Sequence, residues 1–361
     1  MRATTRWYRR RPPVLRPLLY VAGRAIWPVV ALGRTIRFAR ALRLDRGATA
    51  QLYLDCVMAG GDPVDVHVWR NLYGERHPMP ARSTTLVLSA LGAAADHALL
   101  SDKLQLGQRL SEMGLSVPDV RTVWPRGAPP DLDGMTEAEG QADLFVKPRR
   151  GAGGRSAFSL KKDDEGWRID GVSVDARTLI ARLARLSERD DLLVQARLVT
   201  TESLADLACD GGAPVLRLTT SRGADGAPAL HSAMMILARP GRNARNFLTG
   251  QIYAPVDPQT GTLVGGVLLA SPDTLLEHRE PGGPKIAGRS VPHFADAVRA
   301  ALKAMAVVPT LPVVHWDIIL AARGATLLEG NSAGNWILAT LPGRYGLERE
   351  PLAAILARAG S

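Results

Sequence analysis

Two separated stretches of the chain carry residue types suited to holding a polyanion and a hard cation. In the first, Leu144-Phe145-Val146-Lys147-Pro148 runs directly into Arg149-Arg150-Gly151-Ala152-Gly153-Gly154. A strand that delivers a lysine into a glycine-rich turn gathers one ammonium and several backbone N–H groups, the donors that polyphosphate oxygens need. An ordinary glycine hairpin has the same composition, so on these residues alone both readings stand. Arg149, Arg150 and Arg155 either touch phosphate or solvate the tip. The second stretch pairs His315-Trp316-Asp317-Ile318 with Leu327-Leu328-Glu329-Gly330-Asn331.

The elements carrying the second stretch decide whether it can be a site. Residues 310–321 and 325–331 read as two strands joined at Arg323-Gly324, because both runs are rich in Val, Ile, Leu and Trp around one turn signal. A two-residue loop there would pair Ala322 with Ala325 and set Asp317 opposite Gly330, sending Asp317 and Glu329 to opposite faces. A three-residue loop, Ala322-Arg323-Gly324 with a left-handed glycine, instead pairs Ala321 with Ala325, Asp317 with Glu329 and His315 with Asn331. Both carboxylates and the amide then share one face, where like charges directly opposite destabilise a sheet unless a cation lies between them. Mg2+, which takes carboxylate, amide and phosphate oxygens octahedrally, suits that position. The competing reading is a polar outer face with solvated carboxylates. His315 is a candidate neighbour of the metal strand or a plain core residue.

Further candidates come from the surrounding elements. A helix over 102–113, stopped by Gly114, places Lys103 in its first turn, where the helix dipole disfavours a cation unless an anion binds there; a solvated lysine is the alternative. Residues 175–186 read as a helix and 191–198 as a short apolar strand linking two lobes, with Gln195 on it either lining a site or facing solvent. Arg217, within the strand 215–220, has the planar fork to bind a transferring phosphoryl group or a substrate carboxylate, or lies on an exposed edge. Strands are also expected at 156–160, 230–237, 250–256 and 261–269. Helices are expected at 49–69, 294–305 and 352–359, and a loop at 124–140.

Taken together, Lys103, Lys147 with its glycine-rich turn, and Asp317, Glu329 and Asn331 resemble the ATP-grasp superfamily, and more narrowly its sugar-transfer-associated group. The resemblance runs from about Leu99 to Trp336 and includes Ser101-Asp102-Lys103, Phe145-Val146-Lys147-Pro148, Leu193-Val194-Gln195, Leu216-Arg217-Leu218-Thr219-Thr220, Trp316-Asp317-Ile318 and Leu328-Glu329-Gly330-Asn331. It implies an α/β (α+β) fold of two lobes clasping ATP. Lys103, Lys147, Gly151, Gly153 and Gly154 would hold phosphates, and the segment around Leu193 and Gln195 the adenine. Asp317, Glu329 and Asn331 would carry Mg2+, with Lys147, Arg217 and Asn331 at the chemistry. The implied activity is an ATP- and Mg2+-dependent ligase that forms an acyl phosphate from a carboxylate and passes it to an amine, on small-molecule or sugar-linked substrates of glycan or cell-envelope metabolism. The alternatives are a kinase, or a membrane-associated ATP-binding accessory protein that ligates nothing. The chain departs from the group at His315, where a glycine is usual, and at Arg245-Asn246-Phe247-Leu248-Thr249-Gly250, where the group has Asp-Asn before Gly-Gly.

Composition bounds the rest. The 361 residues exceed one ordinary domain, and 46% hydrophobic with 5% aromatic content suits an α/β protein. Cys56 and Cys209 alone make no disulfide framework or zinc pattern, which points to the cytoplasm. No Gly-x-Ser-x-Gly elbow, zinc-binding helix or Walker-type loop is present. The net charge is +10, yet residues 1–46 hold twelve arginines and one acid, so the body is close to neutral. That argues against a nucleic-acid groove in the body and leaves the arm three readings: an anionic membrane surface at the inner face of the cell membrane, a helix packed on the body, or nucleic acid, the least favoured. Over 14–42 the apolar runs are too short to span a bilayer, and Arg24 interrupts any signal-peptide core. As a helix, this segment would place Arg16, Arg24, Arg34 and Arg37 within about 140° of one another and break near Pro28. The expected organisation is an arm at 1–48, a helical preface at 49–115, a first lobe at 116–192 and a second at 193–361.

Overall fold

The computed structural model describes residues 16–73, 91–128, 132, 142–150, 156–209, 212–244, 246–332, 336–350 and 354–355. Three helices come first: α1 (Arg16–Leu42), α2 (Arg46–Ala59, capped by the Asp45 carboxylate) and α3 (Pro63–Tyr73). α1 runs on through Pro28 rather than breaking there. A proline removes one helical hydrogen bond. Here burial of Trp27 and Ala31 beside it, with Trp27 Nε1 donating to the Cys56 carbonyl at 2.9 Å, offsets that cost. The expected 49–69 helix is two, divided where Gly60 turns left-handed at φ 64°. α4 (Ala94–Ser101) and α5 (Lys103–Glu112) meet at Asp102, whose extended backbone ends one helix and whose carboxylate caps the next through the Gln105 N–H.

The first lobe is an antiparallel sheet of β1 (Val120–Trp124), β2 (Ala142–Pro148), β3 (Phe158–Asp163), β4 (Gly166–Ile169), β5 (Val172–Val174) and β6 (Leu192–Ala196), in the order β1-β6-β2-β3-β4-β5. Leu144, Val146, Leu192 and Val194 pack against Leu179 and Leu183 of α6 (Ala176–Ser187). Strand alternation therefore sends Phe145, Lys147, Leu193 and Gln195 to the other face. β2 and β6 pair Lys147 with Leu193 and Phe145 with Gln195, which lines those four residues up.

The second lobe is a larger antiparallel sheet of β7 (Val215–Arg222), β8 (Pro228–Ala238), β9 (Gln251–Asp257), β10 (Thr262–Leu263), β11 (Gly266–Leu268), β12 (Ser271–Leu276), β13 (Val313–Ala321) and β14 (Gly324–Asn331). Its order is β12-β11-β9-β8-β7-β13-β14, with β10 beside β9, and the single strand expected over 261–269 is two short ones. Leu216, Leu218, Trp316 and Ile318 bury one face together with Ala297, Ala301 and Ala304 of α7 (Phe294–Ala304). On the opposite face, Met234, Tyr253 and Val313 share a core with Trp27, Phe38, Leu52, Cys56 and Val66, so α1 to α3 are built onto the large sheet. A short α8 (Trp336–Thr340) closes that core through Leu338 and Ala339. The helix expected over 352–359 and the loop over 124–140 fall largely outside the described residues.

Candidate functional site: a charged cleft between the two sheets

The β13–β14 hairpin brings its carboxylates together, by a different route from the three-residue loop expected. The turn takes two residues, Ala322 and Arg323, so Ala321 pairs with Gly324, which sits at φ 115°. The frame is then reset by a bulge between Asp317 and Ile318 in which Leu328 is the extra residue on β14. A bulge of this kind re-aims the residues beyond it. It restores the pairs Asp317–Glu329 and His315–Asn331, so the three oxygen-bearing side chains share a face. Asn331 Nδ2 donates to Glu329 Oε1 at 3.2 Å.

On the other side of β13, Arg217 is paired in register with Asp317. Its Nε donates to Asp317 Oδ1 at 2.7 Å and its Nη2 to Oδ2 at 2.8 Å, so the edge-exposed alternative for Arg217 does not hold. Burial and the adjacent Glu329 charge push the Asp317 carboxyl up from its ordinary value, and the Arg217 fork opposes that rise. Glu329 goes the other way: burial would raise it, but Lys103, Lys147 and the Asn331 amide hold it below the usual range.

Both lysines reach Glu329 from outside the hairpin. Lys103, at the start of α5, places Nζ 3.7 Å from Glu329 Oε2, and its backbone N–H donates to the Arg149 carbonyl at 3.1 Å. Lys147 comes from the first sheet and is 8% exposed; burial and the Lys103 charge hold its ammonium down to about 8, with Glu329 acting against them. Lys103 is not the solvated lysine that the sequence left open. Three cations thus converge with two carboxylates at the junction of the sheets, an excess of positive charge that suits an anionic ligand.

The beginning of the glycine-rich turn is held by aspartates that sequence reasoning missed. Asp102 accepts from Arg149 Nε at 2.7 Å and Arg150 Nη2 at 2.9 Å, while Arg149 Nη1 reaches Asp191 Oδ2 at 3.0 Å. Burial alone would raise the Asp102 carboxyl; these arginines and the Gln105 N–H hold it low instead. The signal available was an aspartate directly before a helical run, an N-cap pattern. Arg149 and Arg150 therefore fix the turn's base, while Gly151, Gly153, Gly154 and Arg155 lie outside the described residues.

A cleft of about 490 Å3 opens beside the charged cluster, lined by Lys103, Leu106, Val117, Gln195, Leu327 and Leu328 among others. Gln195 is buried in it rather than facing solvent. Leu193 is fully buried opposite Lys147 and does not line this cleft. His315, one row from Asp317, is buried with Nδ1 3.0 Å from Thr219 Oγ1; burial and the Arg217 charge push it down to about 3, so it is neutral. Tyr253 lies near Arg217, its hydroxyl donating to the Phe247 carbonyl at 2.8 Å, which ties the altered 245–250 segment to the charged face. Arg245 itself lies outside the described residues.

Among the described residues no group of three or more His, Cys, Asp and Glu is arranged to hold a metal ion. A metal here would therefore rest on Asp317, Glu329 and the Asn331 carbonyl. Mg2+ binds through one or two carboxylates completed by substrate phosphates, so this hard-oxygen set beside two lysines fits Mg2+ with a polyphosphate.

In fold the chain is similar to the D-alanine–D-alanine ligase of Bacillus anthracis complexed with ATP (14% identity, TM-score 0.41, covering 72% of this chain and 66% of that one). It is also similar to the L-amino acid ligase of Bacillus licheniformis (10%, TM-score 0.38, covering 68% and 43%) and the N5-carboxyaminoimidazole synthetase of Staphylococcus aureus (13%, TM-score 0.35, covering 65% and 44%). The chain thus spans from 43% to 66% of the lengths of these three proteins. No curated protein sequence matches it. The sugar-transfer-associated ATP-grasp family matches residues 89–355, the stretch holding both lysines, the Arg217–Asp317 pair and the β13–β14 hairpin. The chain belongs to the sugar-transfer-associated ATP-grasp family.

Proposed function

We propose that the protein is an ATP-dependent carboxylate–amine ligase. The observation that carries this reading is the convergence on Glu329 of Lys103 from a helix start, Lys147 from the first sheet and Asn331 from the second. ATP would lie with its phosphates against Lys103, Lys147 and the glycine-rich stretch that follows Arg150 in the sequence, and its adenine in the cleft at Gln195. Asp317, Glu329 and Asn331 would hold Mg2+, which when bound would supply screening of the phosphate charge. Arg217, held by Asp317 through Nε and Nη2, would offer its remaining Nη1 to the substrate carboxylate or the transferring phosphoryl group.

In the proposed reaction a carboxylate oxygen attacks the γ-phosphorus, the bond from that phosphorus to the bridging oxygen breaks, and ADP leaves. An amine then attacks the acyl carbon, inorganic phosphate departs and the amine gives up a proton. Lys103, Lys147 and Arg217 stabilise the charge on the phosphoryl oxygens, so catalysis rests on positioning and electrostatics and needs no protein nucleophile. The family's link to sugar transfer supports sugar-linked or cell-envelope precursors as substrates, handled at the cytoplasmic side of a membrane. Incubating the protein with ATP, Mg2+, candidate carboxylates and hydroxylamine tests the activity. A ligase yields a hydroxamate together with ADP and phosphate. ATP binding without carboxylate-stimulated ADP release across the screen would instead favour a nucleotide-binding accessory protein.

A further inference from the structure

Among the described side chains, the outward face of α1 from Val21 to Ile36 is apolar; of the arginines that the sequence groups together, the side chains of Arg16 and Arg24 lie outside those described. Trp27, Ala31, Thr35 and Phe38 point into the core, and the hydrogen bond from Trp27 to the Cys56 carbonyl fixes the rotation of the helix. Arg34 is turned toward the body, bonded to Asp62 at 2.7 Å. Left outside are Val21, Ile26, Val29, Val30, Leu32 and Ile36, with Val29 75% exposed. At 1.5 Å per residue, Val21 to Ile36 makes a stripe about 22 Å long. α2 adds Leu54 and Met58, the latter 81% exposed. A patch of this kind marks an interaction surface.

The charge around the patch says what would cover it. Arg37, Arg40, Arg43 and Arg46 are exposed at the C-terminal end of the stripe, and the first acidic residue of the chain is Asp45. The stripe itself is aliphatic, without the aromatic platforms on which bases stack. No helix among the described residues is long and apolar enough to cross a membrane. We propose that this face seats the protein on an anionic phospholipid surface, with α1 lying in the interfacial plane, its Val, Ile and Leu side chains among the acyl chains and its arginines at the headgroups. The stripe lies on the helix that covers the Tyr253 side of the large sheet, the side that also carries Arg217. The inference rests on α1 and α2 and stands whether or not the ligase reading does.

Sedimentation of the full chain with phosphatidylcholine vesicles, with and without about one third phosphatidylserine, tests it. Anionic vesicles should bind at least about tenfold more tightly than neutral ones, with binding that falls as salt rises. Val29→Asp combined with Leu32→Asp, both on the exposed face, should lower vesicle affinity by about tenfold or more, since charge does not enter the acyl region. Arg37→Gln with Arg40→Gln should cost roughly fivefold per arginine on anionic vesicles. Mg2+-ATP affinity should be unchanged in both variants. Failure to bind anionic vesicles, equal binding to neutral ones, or full binding by the aspartate variant overturns the inference. So does a solution dimer that Val29→Asp disrupts without any vesicle binding, which would assign the face to a second copy. Vesicle binding without ATP binding would leave this inference standing and remove the ligase reading.

Discussion

The Arg217–Asp317 pair gives a prediction that can be worked through from geometry. Its two parallel hydrogen bonds, 2.7 and 2.8 Å, join neighbouring strands in register, and both side chains are largely shielded from water. Each ion costs several kcal/mol to desolvate, and their attraction at an effective dielectric near 20 returns about 4 kcal/mol, so the intact pair contributes little net stability. Breaking it is another matter. Arg217→Met leaves Asp317 facing only Glu329, a like charge, and should cost about 3–5 kcal/mol in urea unfolding at neutral pH. Asp317→Leu should cost less, because Arg217 also feels the Glu329 charge and keeps a partner there. The double variant should recover most of the loss, giving a coupling energy of up to about 3 kcal/mol in the double-mutant cycle. A loss below about 1 kcal/mol for Arg217→Met, or simple additivity of the two changes, would refute the picture of a dry, pre-paired row across the sheet.

Other outcomes follow from neighbouring residues. Lys147 binds phosphate as the ammonium, and burial holds that ammonium down to about 8. Mg2+-ATP affinity should therefore be full below pH 8 and weaken above it by up to about tenfold per unit, with proton uptake visible by calorimetry in buffers of different ionisation enthalpy; a flat profile to pH 9.5 contradicts it. The same depressed value means the unfolded chain binds more protons between about pH 8 and 10.5, so Lys147 itself favours unfolding less as pH rises through that window. Gly330→Ala would put a methyl 2.7 Å from Leu100 Cδ2 and 2.8 Å from Trp316 Cζ3. Because the indole is fully buried, the melting temperature should drop by an amount matching about 1–3 kcal/mol. Asp102→Ala removes a helix cap and a shared partner of Arg149 and Arg150, and should cost about 2 kcal/mol in urea unfolding, with Asp102→Asn retaining part of the cap.

What was legible in the sequence is what local chemistry dictates. The strand that carries Lys147 and the stop at Gly114 follow from alternation and turn residues, whereas the shared face of Asp317, Glu329 and Asn331 was expected from a three-residue loop that the structure does not have. The actual route to that face was not legible, because a compensating bulge at Leu328 depends on β13 being pinned by β7 on its other side. The fork from Arg217 to Asp317 was hidden for the same reason: the two residues are one hundred apart in sequence and meet only through strand order. For α1 the sequence separated Ile26, Val30 and Ile36 from the arginines but could not say which face meets the body; Trp27 and Phe38 take the core, and aliphatic side chains are left outside.

The most direct test of the central claim is calorimetric ATP binding, with and without Mg2+, to the native protein and to folded Lys147→Ala and Glu329→Gln variants. Mg2+-dependent binding, weakened by both substitutions by about ten- to a hundredfold, is the outcome expected of a site assembled from both sheets around Glu329. Binding that ignores Mg2+ or survives both substitutions, or no binding by the native protein, would contradict it.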